Sequence, residues 1–133
     1  MRTDLTDPED GTPILEYIAS FGSDPDDFEW FTFPAHGEET FGLSGADLDE
    51  FVARCVTACL ANGCVPVDGH RDGKWVPTYA YGITDDEIAW NMVRAWHALD
   101  GRQTEFGELF FSWKDWIGKD DYAEWTRRRE AAR

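Results

Sequence analysis

The sequence predicts a single α+β domain in which four or five helices pack on a small, mainly antiparallel sheet. The chain has 133 residues, which suits one ordinary domain. Hydrophobic residues make up 42% of it and aromatic residues 15%, enough apolar material for a packed core. Segments with helical spacing of apolar residues alternate with strand-forming segments and turn signals. We expect residues 1–133 to form one domain, with residues 1–11 as a flexible acidic N-terminal segment.

The first half is expected to contain a helix, a strand, a loop and a long helix. Thr12 and Pro13 are typical of a helix start, as N-cap and first helical residue. Residues 28–33 are rich in strand formers, and residues 34–43 are expected to form a loop. Ser44 predicts the cap of a helix over about 45–62. The predicted apolar stripes of the two helices are Ile14, Leu15, Ile18 and Phe21, and Leu48, Phe51, Val52, Cys55, Val56, Cys59 and Leu60.

A hairpin is predicted from strands at residues 65–67 and 75–81. Two turn signals lie between them, Asp68-Gly69 and Asp72-Gly73. The prolines at positions 66 and 77 favour an edge strand or a bulge, because proline cannot donate to a ladder.

The second half is expected to contain two or three helices. A capping box at residues 84–87 predicts a helix that ends at Asp100-Gly101. Residues 106–117 repeat at helical spacing with Thr104 as cap, but Gly107 and the apolar run that follows leave a strand open there. A last helix is expected from about Asp121 into an arginine-rich tail.

Acidic residues are concentrated in the first part of the chain. The net charge is −15, with 27 acidic and 12 basic residues. Residues 1–50 hold fourteen acids and one base, so nearly all the excess lies there. Such a chain repels a phosphate backbone and an anionic membrane surface, so we expect no direct nucleic acid and no membrane as partner. The surface either keeps the protein in solution or is built to meet a basic protein.

The amino terminus and the cysteines predict a cytoplasmic protein. Residues 1–11 contain no apolar segment typical of a secretion signal, and no apolar run is long enough to span a bilayer. Three cysteines lie within ten positions, an odd and clustered set that is not typical of a disulfide scaffold.

Neither a metal nor a cofactor is expected. Cys55, Cys59, Cys64 and His70 match no common zinc spacing, and Cys55 and Cys59 fall on an apolar stripe, which favours core packing. A metal site or a reactive thiol is the alternative. The acidic run at residues 24–29 lacks the glycine of a calcium-binding loop.

Catalysis by His36 is a further alternative. His36 follows Pro34 on the expected loop and precedes two glutamates, so it has carboxylates beside it for acid–base chemistry. No nucleophile is visibly arranged with it. Among the tryptophans, Trp90 and Trp116 are the two expected to be exposed, as anchors for a partner.

The sequence favours a non-enzymatic inhibitor that occupies a basic, nucleic-acid-handling surface on another protein. In charge and size it resembles phage anti-defence proteins that mimic DNA, of the anti-CRISPR or anti-restriction kind, and immunity proteins that block toxin nucleases. The alternatives are a structural or oligomerisation module, in which the acids pair with the arginine tail within one chain or in a homodimer, and a small enzyme using His36 or a cysteine. The expected partner-binding residues are Asp24, Asp26, Asp27, Glu29, Glu38, Glu39, Asp47, Asp49, Glu50, Trp90 and Trp116.

Overall fold

The computed structural model describes residues 1–21, 23, 33–99 and 111–133, which form five α-helices and a three-stranded antiparallel sheet. The predicted α+β class is confirmed. The helices are α1 (Ile14–Ala19), α2 (Phe33–Phe41), α3 (Gly45–Ala61), α4 (Asp85–His97) and α5 (Lys119–Ala131). The strands are β1 (Cys64–Arg71), β2 (Lys74–Pro77) and β3 (Phe111–Trp113), and a single 3-10 turn, Lys114–Trp116, follows β3.

Helix α3 lies at the centre of the packing, since α1, α2, α4 and β1 all contact it. Its predicted stripe is buried, and Phe51, Val52, Cys55 and Val56 have no exposed surface. The long helix predicted over 45–62 is therefore confirmed. Ser44 occupies the N-cap position, but its side chain makes no capping bond.

The predicted hairpin is confirmed, but only one of its two turn signals forms the turn. Asp72 and Gly73 both have positive φ and join β1 to β2 directly, as a two-residue hairpin turn requires. Gly69 also has positive φ, but it lies inside β1, where the register shifts between Val67 and His70. The Asp68-Gly69 signal therefore marks a bulge instead of a turn.

Strand β1 is central, in the order β2-β1-β3, so the expectation of an edge position for Pro66 is wrong. Pro66 pairs with Phe111 of β3, and its carbonyl accepts from the backbone N–H of Thr78, just beyond β2. The proline is tolerated because it sits where the β2 ladder ends and few ladder bonds remain to lose. Pro77 closes β2, which is an edge strand as expected.

Residues 33–41 form helix α2, so the predicted end of a strand at Phe33 and the predicted loop over 34–43 are both wrong for these residues. Residues 28–32 lie outside the described residues. Pro34 stands in the first helical turn, where its missing N–H is not needed. Gly37 faces α3, and a Cβ there would lie 2.6 Å from Cδ1 of Leu48 and 2.8 Å from Cδ1 of Phe51. The glycine thus allows two helices to approach closely instead of breaking one.

Residues 111–113 form a strand, so the helical alternative for that segment is wrong there and the strand alternative is confirmed. The backbone of β3 pairs with Cys64, Val65 and Pro66 of β1. A partner strand thus outweighs the helical spacing of Trp113 and Ile117. Residues 100–110, with the expected cap and the expected end of the preceding helix, lie outside the described residues.

The remaining helix ends differ from the predictions by a few residues. Helix α1 begins at Ile14 with Pro13 as its N-cap, one residue later than predicted. Helix α4 ends at His97, before the predicted stop, and α5 begins at Lys119, two residues before Asp121.

The first thirteen residues are tied to the helices. The backbone N–H of Ile14 bonds to the carbonyl of Leu5, and Thr6 bridges to Pro13. The amino group of Met1 lies 3.2 Å from an Asp47 carboxylate oxygen on α3. The flexibility expected for residues 1–11 concerns motion and stays a prediction. Within the ranges that the structure describes, no helix has the length and apolar character needed to cross a membrane.

We expect Thr84→Ala to lower the free energy of unfolding by about 1 kcal/mol, the usual contribution of an N-cap. The Thr84 hydroxyl accepts from the Glu87 N–H at 3.2 Å, and the Glu87 carboxylate accepts from the Thr84 N–H at 3.0 Å. Both bonds of the predicted capping box are thus present. Urea denaturation measures the change. Thr3→Ala at an exposed site is the matched control, and equal values for the two variants would contradict the assignment.

Candidate functional site

Acidic side chains from the N-terminal segment, α2 and α3 line two cavities. Glu38 and Glu39 are neighbours on α2. Glu39 lines one cavity with Asp7 and Glu9 of the N-terminal segment, and Glu38 lines another with Asp49 of α3. The fold thus places Glu39 beside acids of the N-terminal segment and Glu38 beside an acid of α3. We call the following set the acidic surface: Asp7, Glu9, Glu38, Glu39, Asp47, Asp49 and Glu50.

The α3 members of the acidic surface have nearby cations. The Met1 amino group lies between Asp47 and Glu50, and Arg54 Nε donates to Glu50 at 3.0 Å. The His97 ring lies 2.8 Å from Asp49. These contacts hold the carboxylates in place but offset only part of their charge.

Among the residues that the structure describes, no cation pairs with the α2 members of the acidic surface. Glu38 and Glu39 are exposed and make no ion pair with any of the residues the structure describes. They lie in the last turn of α2, which carries no basic residue. The carbonyl end of a helix dipole disfavours negative charge, so the local structure gives these two carboxylates no stabilisation.

The structure places part of the predicted set. Of the five predicted acids that it describes, Glu38 and Asp49 line one cavity, Glu39 lines another, and Asp47 and Glu50 both contact the Met1 amino group. Asp24, Asp26, Asp27 and Glu29 lie outside the described residues. Sequence reasoning missed two further members, Asp7 and Glu9, because it assigned them to a flexible segment; their clustering in the sequence was the available signal.

The arginine tail does not meet the acidic surface in the described structure. Arg127 and Arg128 both donate to Glu124 of their own helix, at 2.6 and 2.8 Å. Arg129 donates to the carbonyl of Ile83 at 2.8 Å and to Asp85 at 2.6 Å. Pairing between the tail and the N-terminal acids within one chain is therefore wrong for the described residues, because closer carboxylates on α4 and α5 take the arginines.

The cysteines belong to the core, as the packing interpretation predicted. All three are buried thiols, and burial raises the pKa of the Cys55 thiol well above its usual value. His70 is exposed and stacks on Trp75, with ring centroids 3.7 Å apart. Within the described ranges, no group of three or more histidine, cysteine and carboxylate side chains is placed to hold a metal ion.

His36 lies on helix α2, so its predicted place on a loop is wrong. Its Nδ1 is 2.5 Å from the hydroxyl of Tyr17 on α1, and the ring of Phe21 packs edge-on against it. A cavity of about 370 Å³ opens beside this pair, with Asp7 and Glu39 among its lining residues. The contacts join α1 to α2 and place a histidine among carboxylates.

Both tryptophans expected to be exposed are 40% exposed. Trp90 stands on α4, and Trp116 closes the 3-10 turn after β3, far along the chain from the acidic surface. Their role in binding a partner stays a prediction.

An apolar groove, which the sequence did not predict, runs over α3 between α1 and α4, with a volume of about 470 Å³. Leu15 stands on its α1 wall and Trp90 on its α4 wall. Leu15 is 44% exposed, so its predicted place on the buried stripe is wrong: α1 is short and turns this side chain away from the core.

Comparisons with protein-family models, with curated proteins and with solved structures find no match to this chain.

We expect the three cysteines to resist thiol reagents in the native protein and to react together on unfolding. Buried thiols are not reached by the reagent, and desolvation disfavours the reactive thiolate of Cys55. An aromatic disulfide reagent, followed by absorbance with and without denaturant, measures this. Thr3→Cys adds an exposed thiol as a control for the reagent, and fast labelling of the unmodified native protein would contradict the placement.

We expect the pKa of Glu124 to be about 2 in the native protein, because Arg127 and Arg128 donate hydrogen bonds to its ionised form. Its stabilising contribution is complete above the ordinary carboxyl value of 4.5 and is lost as the pH falls towards about 2. NMR titration of the side-chain carboxyl measures the midpoint. Replacing both arginines with Gln should raise it towards 4.5, whereas Arg133→Gln removes a tail charge and should leave it unchanged. A midpoint near 4.5 in the native protein would refute the pairing.

Proposed function

We propose that this chain is a cytoplasmic, non-enzymatic protein that blocks a basic, nucleic-acid-handling protein by covering its binding surface. The supporting observation is the acidic surface, together with the local pairing of the arginine tail. The tail is a concentrated internal source of positive charge, and Arg127, Arg128 and Arg129 bond to Glu124 and Asp85 instead. The negative charge of the acidic surface thus stays available for a partner.

The placement of Glu38 and Glu39 supports the proposal that their carboxylates contact a basic partner. Carboxylates near a helix C-terminus, beside other carboxylates, destabilise the fold. The helix dipole stabilises an acid in the first turn of α3. None of the described contacts stabilises the two glutamates of α2. An external cation that meets Glu38 and Glu39 would offset this cost.

Carboxylates on helices suit imitation of a phosphate backbone. Glu38, Glu39, Asp49 and Glu50 project from two helices packed on one another, so their spacing is held by the core. A basic groove that releases counterions when it binds nucleic acid gains the same electrostatic attraction from such a surface. Association would be fast and would weaken steeply with salt.

An enzyme acting through His36 is the second candidate. The 2.5 Å contact between His36 and the Tyr17 hydroxyl, at the wall of a cavity with carboxylates, favours it. A histidine held by a phenol can move a proton to or from a bound molecule. Under the main proposal, His36→Ala leaves partner binding intact, which separates the two functions.

We expect the triple variant Glu9→Gln, Glu38→Gln, Glu39→Gln to bind its partner about tenfold more weakly, at roughly 0.5 kcal/mol for each exposed charge pair lost. The salt dependence of binding should also flatten. Immobilised protein would be incubated with lysate of its host, eluted in a salt gradient and the eluted proteins identified. Binding of nucleic acid by the purified partner would then be measured with and without this protein.

The control is Asp68→Asn, Asp120→Asn, Glu130→Gln, which changes the net charge equally at exposed positions outside the acidic surface. Full retention of the partner by the control, with loss in the first variant, supports the proposal. Equal retention by both variants, or a partner whose nucleic-acid binding is unaffected, would remove it.

A further inference from the structure

The groove over α3 exists because that face of the helix carries small side chains. Its floor includes Ala53, Thr57 and Ala61, spaced four residues apart, so they lie in one row along the helix. Helices α1 and α4 contact α3 on either side of this row and form the walls. The result is a channel with a helix along each side, and its floor carries this row of small side chains together with Glu50 and Arg54 of α3.

Two large apolar side chains stand on the walls of this channel and are only partly covered. Leu15 is 44% exposed and Trp90 is 40% exposed. They are two of the three large hydrophobic side chains that are exposed in the described part of the chain. Facing apolar side chains beside this row of small side chains mark a surface that gains stability when it is covered.

The geometry favours a helix as the occupant. All the lining residues lie on α1, α3 and α4, whose backbone groups are bonded within their own helices. The groove therefore offers no strand edge to an extended peptide, which binds through backbone hydrogen bonds. A helix with an apolar stripe binds through side-chain contacts alone. Its ridge of side chains can pack along the row of small residues on α3.

The charge around the groove indicates a basic partner instead of a second copy. Glu50, Arg54 and Asp86 line it, and because Arg54 and Glu50 are bonded to each other, Asp86 is the carboxylate that leaves the lining with net negative charge. Asp86 forms no ion pair with any described residue. Two copies of a chain with a net charge of −15 repel each other, whereas lysine or arginine beside an apolar stripe would meet this carboxylate.

We propose that the groove between α1 and α4 binds an amphipathic helix of a partner protein, with its apolar stripe against Leu15, Trp90 and the floor of α3, and a basic residue at Asp86. The sign of the partner's charge rests on the proposed function; the apolar contact does not. Glu50 belongs to both the groove and the acidic surface, so one basic partner can reach both.

The test uses a fluorescent peptide of about 15 residues, long enough to form a helix on binding, with leucine at helical spacing and lysine elsewhere. Its affinity for the full chain is measured by anisotropy. A peptide of the same composition without the stripe, and one with glutamate in place of lysine, are the comparisons. We expect saturable binding of the striped lysine peptide, and at least tenfold weaker binding of the other two.

Leu15→Ala and Trp90→Ala should each weaken binding of the striped peptide about tenfold, as loss of an apolar anchor does. Trp116→Ala removes an equally exposed tryptophan that does not line the groove, and should leave the affinity unchanged. Equal binding of the striped and unstriped peptides, or no effect of Trp90→Ala, overturns the proposal, since the attraction is then electrostatic alone. A dimer of the unmodified chain that dissociates in Trp90→Ala also overturns it and assigns the groove to a second copy.

The same variants separate this proposal from the function proposed above. If Trp90→Ala still captures the host partner at full strength while the Glu9, Glu38 and Glu39 variant does not, the groove proposal fails and the acidic-surface proposal stands. If the striped peptide binds as expected but the Glu9, Glu38 and Glu39 variant captures its partner normally, the acidic-surface proposal fails and the groove proposal stands.

Discussion

Burial of helix α3 is the constraint on which the rest of the structure depends. Three helices and the central strand contact it, and its apolar stripe is closed off from water. Because so many elements share one helix, α3 has α1, α2, α4 and β1 as fixed neighbours and is left open along the groove between α1 and α4. The Gly37 crossing sets the distance to α2, and the contact with β1 sets the position of the sheet. Loss of packing along α3 would therefore disturb every other element at once.

The charge distribution adds a second constraint, which works against the first. A group of the described acids lies around the first turns of α3 and the last turn of α2. At the start of α3 the helix dipole makes Asp47 favourable, so that charge has a structural role as well. At the end of α2 the dipole acts against Glu38 and Glu39. These two glutamates are thus the members of the acidic surface whose presence the fold explains least, which makes them the strongest pointer to a partner.

Local signals could be read from the sequence, and long-range ones could not. The Thr84–Glu87 capping box and the Asp72-Gly73 turn depend on neighbouring residues, and both are present as predicted. Helix α2 was missed because Gly37 looks like a loop residue until α3 lies against it. The charges of the acidic surface were evident from composition, whereas their meeting needed the fold. The groove was invisible in the sequence, since no single element contains it.

The acidic surface and the groove act at different stages of a binding event. Charge acts over about 8 Å at physiological salt, so under the proposed function the acidic surface would speed the encounter and orient the partner before contact. Apolar groups attract only at contact, so the proposed groove interaction would determine how long a complex lasts. Both rest on α3, and Glu50 belongs to each, so the two stages share one rigid element. Docking of a partner along this helix would order little of the chain, because the core already fixes the spacing of charge and groove.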